Sequence, residues 1–163
     1  MNPNKLKPIT FIAALFFTFC NCFAGDIESD EASDFASFIQ DLVQTTQTSK
    51  QGVICIFGSD AVSKVLTTSR VNNLLDLTGD VRRYESCKAI YVAQGMEKGL
   101  RVEIEKFNKK GIMTIAIFDG FTELGGMVQV QMGRRNFELT INSKQLKASG
   151  VRLNALAMSI VIN

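Results

Sequence analysis

The sequence predicts an α/β domain, a mostly parallel sheet flanked by helices and ending in a β-hairpin and short helices. Three observations carry that expectation. Val53 to Phe57, Ala89 to Ala93 and Ile112 to Phe118 are apolar along nearly their whole length, the habit of parallel strands covered on both faces. Stretches with helical spacing separate these runs and give the middle of the chain a βαβ character. After Gly125 the pattern changes. Met127, Val128 and Val130 lead to a turn at Gly133, and Phe137, Leu139 and Ile141 then alternate with Glu138 and Thr140, as a hairpin with one buried face requires.

In chain order, Phe35, Phe38, Ile39, Leu42 and Val43 recur at helical spacing and predict a first helix. Ser59 or Asp60 caps the helix that follows the first strand and carries Val62, Val65 and Leu66. Asp80 to Tyr84 reads as an edge strand, and Glu97 to Lys109 as a helix. Beyond the hairpin, Asn142 or Ser143 can accept a backbone hydrogen bond at the start of a short helix over 144–149, which Gly150 ends in the left-handed conformation. No internal repeat or linker divides the chain, so one domain is expected.

Lys5 and Lys7, the apolar run from Ile9 to Phe19 and the small residue closing Cys22-Phe23-Ala24 follow the order of a secretory signal peptide, cut after Ala24. An uncleaved anchor is the competing reading, although the run is short for a bilayer span. Phe19 and Asn21, which precede Cys20 and Cys22, are too large for lipoprotein processing. Export to the periplasm removes two of the eighteen cations and leaves sixteen against sixteen carboxylates, so bulk charge points to no nucleic-acid partner. Six carboxylates and no cation fall between Asp26 and Asp41. Residues 25–34 are therefore expected to form an acidic, flexible leader before a domain over 35–163.

Cleavage also removes Cys20 and Cys22 and leaves Cys55 and Cys87. An oxidising compartment joins such a pair most economically as one disulfide, worth roughly 3 to 4 kcal/mol for a loop of about thirty residues. The Cα atoms must then lie within about 7 Å. The alternative, a redox-active or metal-binding pair, lacks both a CxxC spacing and any histidine.

The absence of histidine removes the commonest general base and the usual partner of a nucleophilic serine or cysteine. Glu103 and Glu105, two apart, do not share a helix face, and Glu97 with Arg101 reads as a solvated i,i+4 pair. Gly58 and Gly125-Gly126 match neither GxGxxG nor a P-loop. Met127, Met132 and Met158 read as core or near-core filler. These residues point to a binding protein with no catalytic residue, metal site or cofactor.

Loops that leave the carboxyl ends of parallel strands share one rim, so Gly58-Ser59-Asp60 and the segment from Asp119 to Gly126 are expected on the same side. The second segment is the candidate partner-binding site. Phe121 and Leu124 are its apolar anchors, Asp119 and Glu123 its charges, and Gly120, Gly125 and Gly126 backbone that another chain can approach closely. In the competing reading Phe118 and Phe121 plug the end of the core.

The hydrophobic strand running into Asp119, the pair Gly125-Gly126 followed by an apolar residue, and Phe137-Glu138-Leu139-Thr140-Ile141-Asn142 leading into Leu146 and Gly150 together resemble the closing signature of the YfiR family. Its members are periplasmic repressors of membrane-bound diguanylate cyclases. The resemblance extends from about Val53 onward, whereas the Trp-Pro usual at the end of the family's first helix has no counterpart in a chain without tryptophan. It implies a negative regulator in cyclic-di-GMP signalling and biofilm control that is not an enzyme and uses no cofactor. The implied partner is the periplasmic domain of an inner-membrane diguanylate cyclase, with a competing envelope lipoprotein and a homodimer left open. Such a repressor must bind the inactive cyclase better than the active one, because equal affinity shifts nothing. The alternative is a periplasmic small-ligand-binding or envelope-assembly protein that keeps the fold without a cyclase partner.

Overall fold

Strands that carry apolar residues on both sides need cover on both sides, and the helices supply it. The computed structural model describes residues 28–69, 74–77, 81–134, 136–153 and 159–162. In order they form α1 (Ser29–Thr45), β1 (Val53–Phe57), α2 (Ala61–Thr68), β2 (Leu74–Asp76), a 3-10 helix (Val81–Ser86), β3 (Cys87–Val92), α3 (Leu100–Lys109), β4 (Met113–Ala116), β5 (Val128–Met132), β6 (Phe137–Ile141), α4 (Ser143–Ser149) and β7 (Ser159–Ile162). One sheet runs β2-β1-β3-β4-β5-β6-β7. Only the β5–β6 ladder is antiparallel, so β6 and β7 run against the other five strands. The expected sheet, hairpin and short helix are all present, and β7 adds a strand beside β6. The expected signal peptide, Met1 to Ala24, and Met158 lie outside the described residues.

Strand alternation divides the core between the two faces. Ile54, Ile56, Ala89, Tyr91, Val128, Val130 and Leu139 meet Phe35, Ile39 and Leu42 of α1 and Val62 and Leu66 of α2. On the other face Cys55, Phe57, Ile90 and Val92 meet Leu100, Ile104 and Phe107 of α3, with Phe118 and Phe121 closing the end. Of the other two methionines read as filler, Met127 is buried and Met132, at the hairpin end, is 43% exposed.

Three expectations are corrected. The acidic segment is no loose leader from Ser29 on but the first turns of α1, because Ala32, Phe35, Ala36 and Ile39 make one buried stripe and Asp30 and Glu31 sit at the positive end of the helix dipole. Asp80 to Tyr84 was expected as an edge strand, yet the edge strand beside β1 is Leu74–Asp76 and 81–86 is 3-10 helix. Its exposed Arg82 and Arg83 have no apolar alternation to hold a strand on the core. α3 also starts later than expected, at Leu100, so Glu97 accepts from the Gly95 amide while Arg101 donates to the Glu123 carbonyl.

A register shift explains how the two cysteines meet. Ile54 lies opposite Ala89, but Val53 lies opposite Cys87, leaving Lys88 as an extra residue in β3. Strict alternation would put Cys87 and Ile90 on opposite faces; the extra residue puts them on the same one. Cys87 thereby reaches Cys55, with Cα atoms 5.7 Å apart and the two Sγ atoms bonded, as the pairing read from the sequence requires. Both cysteines are fully buried. Lys88 turns to α1 and donates to the Val43 carbonyl. Gly52 permits the shift, since a Cβ there would overlap the Ser86 carbonyl.

Candidate functional site

Strand order turns at β1, with β2 on one side and β3 on the other, so the carboxyl ends of β1 and β3 flank the crevice where open α/β sheets bind ligands. Here the crevice is filled by the chain itself. Asp60 caps α2 through the Ser63 amide, and its second carboxylate oxygen accepts from the Tyr91 hydroxyl at 2.7 Å and the Gln94 amide at 2.9 Å. Burial, followed by the Asp60 charge and hydrogen bond, pushes the Tyr91 hydroxyl above its ordinary pKa. The Met96 side chain lies against Gly58 so closely that a Cβ there would overlap it.

The second segment, Asp119 to Gly126, leaves the same rim and is pinned at several points. Asp119 accepts from the amides of Gln129 and Gln131 at 3.3 and 2.6 Å. Gln129 also accepts from the Phe121 amide, Asn142 donates to the Thr122 carbonyl and Asn108 donates to the Gly125 carbonyl. Phe121 is fully buried and packs edge-on against Phe118, ring centroids 5.3 Å apart. It is a core plug, not an exposed anchor. The plug also accounts for Gly126, where a Cβ would overlap the Phe121 ring. Glycine is therefore needed there by the protein's own packing, not by a visiting backbone. Glu123 stays exposed, Asp119 is exposed but tied to the sheet, and Leu124 is half-buried.

Leu124 and Gly125 open onto a groove of about 420 Å³ between α3 and α4. Ile104, Asn108 and Ala148 line it, with Arg101 and Lys109 opposed by Glu105, which Lys109 holds at 2.7 Å. No sequence motif announced this groove, because it forms between helices that are forty residues apart in the chain and joined through Ser149, which donates to the Asn108 carbonyl. Among the described residues no three His, Cys, Asp or Glu side chains converge as a metal site.

The fold has a solved counterpart. The crystal structure of a conserved domain protein from Vibrio cholerae O1 biovar El Tor superposes with a TM-score of 0.59 at 8% identity, covering 81% of this chain and 60% of that one. That likeness concerns the fold alone, and the chain spans less than two thirds of that protein's length. No protein of curated function matches the sequence significantly. The family model described as YfiR/HmsC-like matches residues 31–159, most of the chain, and the protein belongs to that family.

Proposed function

We propose that the protein is a periplasmic regulator of an inner-membrane diguanylate cyclase, acting by contact and without chemistry of its own. Family membership over 31–159 is the observation that carries the reading. The bonded, buried Cys55 and Cys87 accord with an exported chain. No helix among the described residues is long and apolar enough to cross a membrane. The contact surface is the outer side of the Asp119 to Gly126 segment together with the groove beside it. Leu124 is its apolar anchor and Glu123 its exposed charge, both on backbone held rigidly enough that binding orders little.

Regulation requires that this surface fit the resting cyclase better than the active one. In cells carrying the cognate cyclase, the parent chain should lower cyclic-di-GMP. Leu124→Asp should weaken binding by about thirtyfold, the effect of losing a central anchor, and restore the unrepressed level while the chain stays folded, although some melting temperature is lost because Leu124 also packs against the core. A parent chain that leaves cyclic-di-GMP unchanged defeats the regulator reading; a Leu124→Asp variant that represses like the parent defeats only this surface. A second reading, small-ligand binding, is favoured by the groove volume, which lies in the range of ligand pockets. Ligand-induced thermal stabilisation lost in Leu124→Asp would select it.

A further inference from the structure

Charge is sorted along the strand axis. Where β1, β3 and β4 begin, five separate segments converge: the 46–52 loop, the end of the 3-10 helix, the end of α3, α4 and residues 151–152. Their contacts are direct. Lys50 donates to the Glu85 carbonyl, Lys110 pairs with the Glu85 carboxylate at 3.3 Å, and Gln47 and Arg152 form an antiparallel bridge. Lys50, Lys109, Lys110, Lys144, Lys147 and Arg152 are exposed or half-exposed at this end. Glu105 and Glu85 offset two of them. Lys144, Lys147 and Arg152 have no ion-pair partner among the described residues.

Carboxylates outnumber cations at the other end, where Lys64, Lys98 and Arg101 are also exposed. Phe35 and Phe38 of α1 pack on Phe137 at the start of β6, which places Glu28, Asp30, Glu31 and Asp34 at the rim where β1, β3 and β4 finish. Asp119 and Glu123 lie on that half as well.

We infer that the basic end docks on the anionic surface of a lipid bilayer and orients the protein with α1's acidic start pointing away. Three features favour a bilayer over an acidic protein. The cations come from four of these segments and surround no single recess, as suits a plane of mobile charge rather than a shaped ligand. Five of the six are lysines, compact hydrated charges that need no fixed partner geometry. The α3–α4 groove nearby carries both signs, so it offers no selective seat for an acidic segment. Each cation close to an anionic membrane contributes about fivefold in partitioning, and the acidic end is repelled. The inference rests on the periplasmic reading only for which membrane is met; the docking would also hold the α3–α4 groove near the membrane-bound partner proposed above.

Flotation of the full chain with vesicles tests this. The parent should float with mixed phosphatidylglycerol and phosphatidylcholine vesicles, stay behind with phosphatidylcholine alone, and be released by salt. Lys144→Glu, Lys147→Glu and Arg152→Glu together should cut binding by at least about a hundredfold. Lys64→Glu, at the opposite end, should not. If the triple reversal fails to fold, the neutral set Lys144→Gln, Lys147→Gln and Arg152→Gln should give a smaller loss of the same sign. Equal binding to neutral vesicles, or a folded triple variant that floats like the parent, overturns the inference. Tighter binding to polyglutamate than to the anionic vesicles also overturns it and assigns this end to an acidic protein. The vesicles hold no cyclase, so flotation reads the basic end alone whatever becomes of the regulator reading.

Discussion

Around β1 and β3 nearly every strand residue is apolar, helices cover both faces, a disulfide ties the two strands and Asp60 ties their ends. Around β5 and β6 only one face is apolar. Gln129, Gln131, Glu138 and Thr140 occupy the other, and the neighbouring Asp119 to Gly126 segment supplies its cover through hydrogen bonds. The first region is held by burial and a covalent bond, the second by register and by a loop that folds onto its own sheet. A binding surface suits the second, because its outward residues can change without opening the central core.

The largest effect should come from breaking the covalent side of this contrast. Cys55→Ala with Cys87→Ala should lower the unfolding free energy by about 3 to 4 kcal/mol in urea titration, as expected for a bridge across 32 residues. A loss under about 1 kcal/mol would mean that burial alone holds β1 to β3.

Next comes Gly126→Ala, which forces the Phe121 ring off its seat on the other side of the contrast. Overpacking of this kind should cost about 2 kcal/mol, read in the same titration. An unchanged midpoint would show that the Asp119 to Gly126 segment gives way easily and is no rigid platform.

The smallest effect sharpens the role of the strand-end tie. Tyr91→Phe should cost about 1 kcal/mol near neutral pH, since Asp60 keeps its amide donors. The raised pKa of Tyr91 sets the sign with pH. The stability it gives is complete below about pH 10 and is lost as pH rises beyond that, because the unfolded tyrosine ionises first. Urea midpoints measured on both sides of pH 10 should therefore fall more steeply for the parent than for the variant.

Much of this architecture is legible residue by residue. Apolar runs announce β1, β3 and β4, alternation announces β6, and Asp60, Asn142 and Gly150 sit at the helix ends as their chemistry demands. Longer-range causes stay hidden. The two faces of the Cys87 strand can be sorted only with the register shift at Lys88, and that shift depends on Gly52 meeting Ser86 thirty-four residues away. Leu74–Asp76 is too short to show a period. In the candidate site the loop itself is readable, but Phe121 looks the same in sequence whether it points out or in. Its burial follows from the Gly126 notch and the Gln129 amide, and the α3–α4 groove exists only once both helices are placed.

The inward turn of Phe121 bears on how such a protein can diverge. With the plug, the notch and the amide clamps fixed, the segment's shape depends little on what Glu123 is and only in part on Leu124, which also packs against the core. Those two positions can drift with a partner, one substitution answering another, while the scaffold stays under constant constraint. Duplicated copies could in this way acquire separate binding surfaces without first losing their fold.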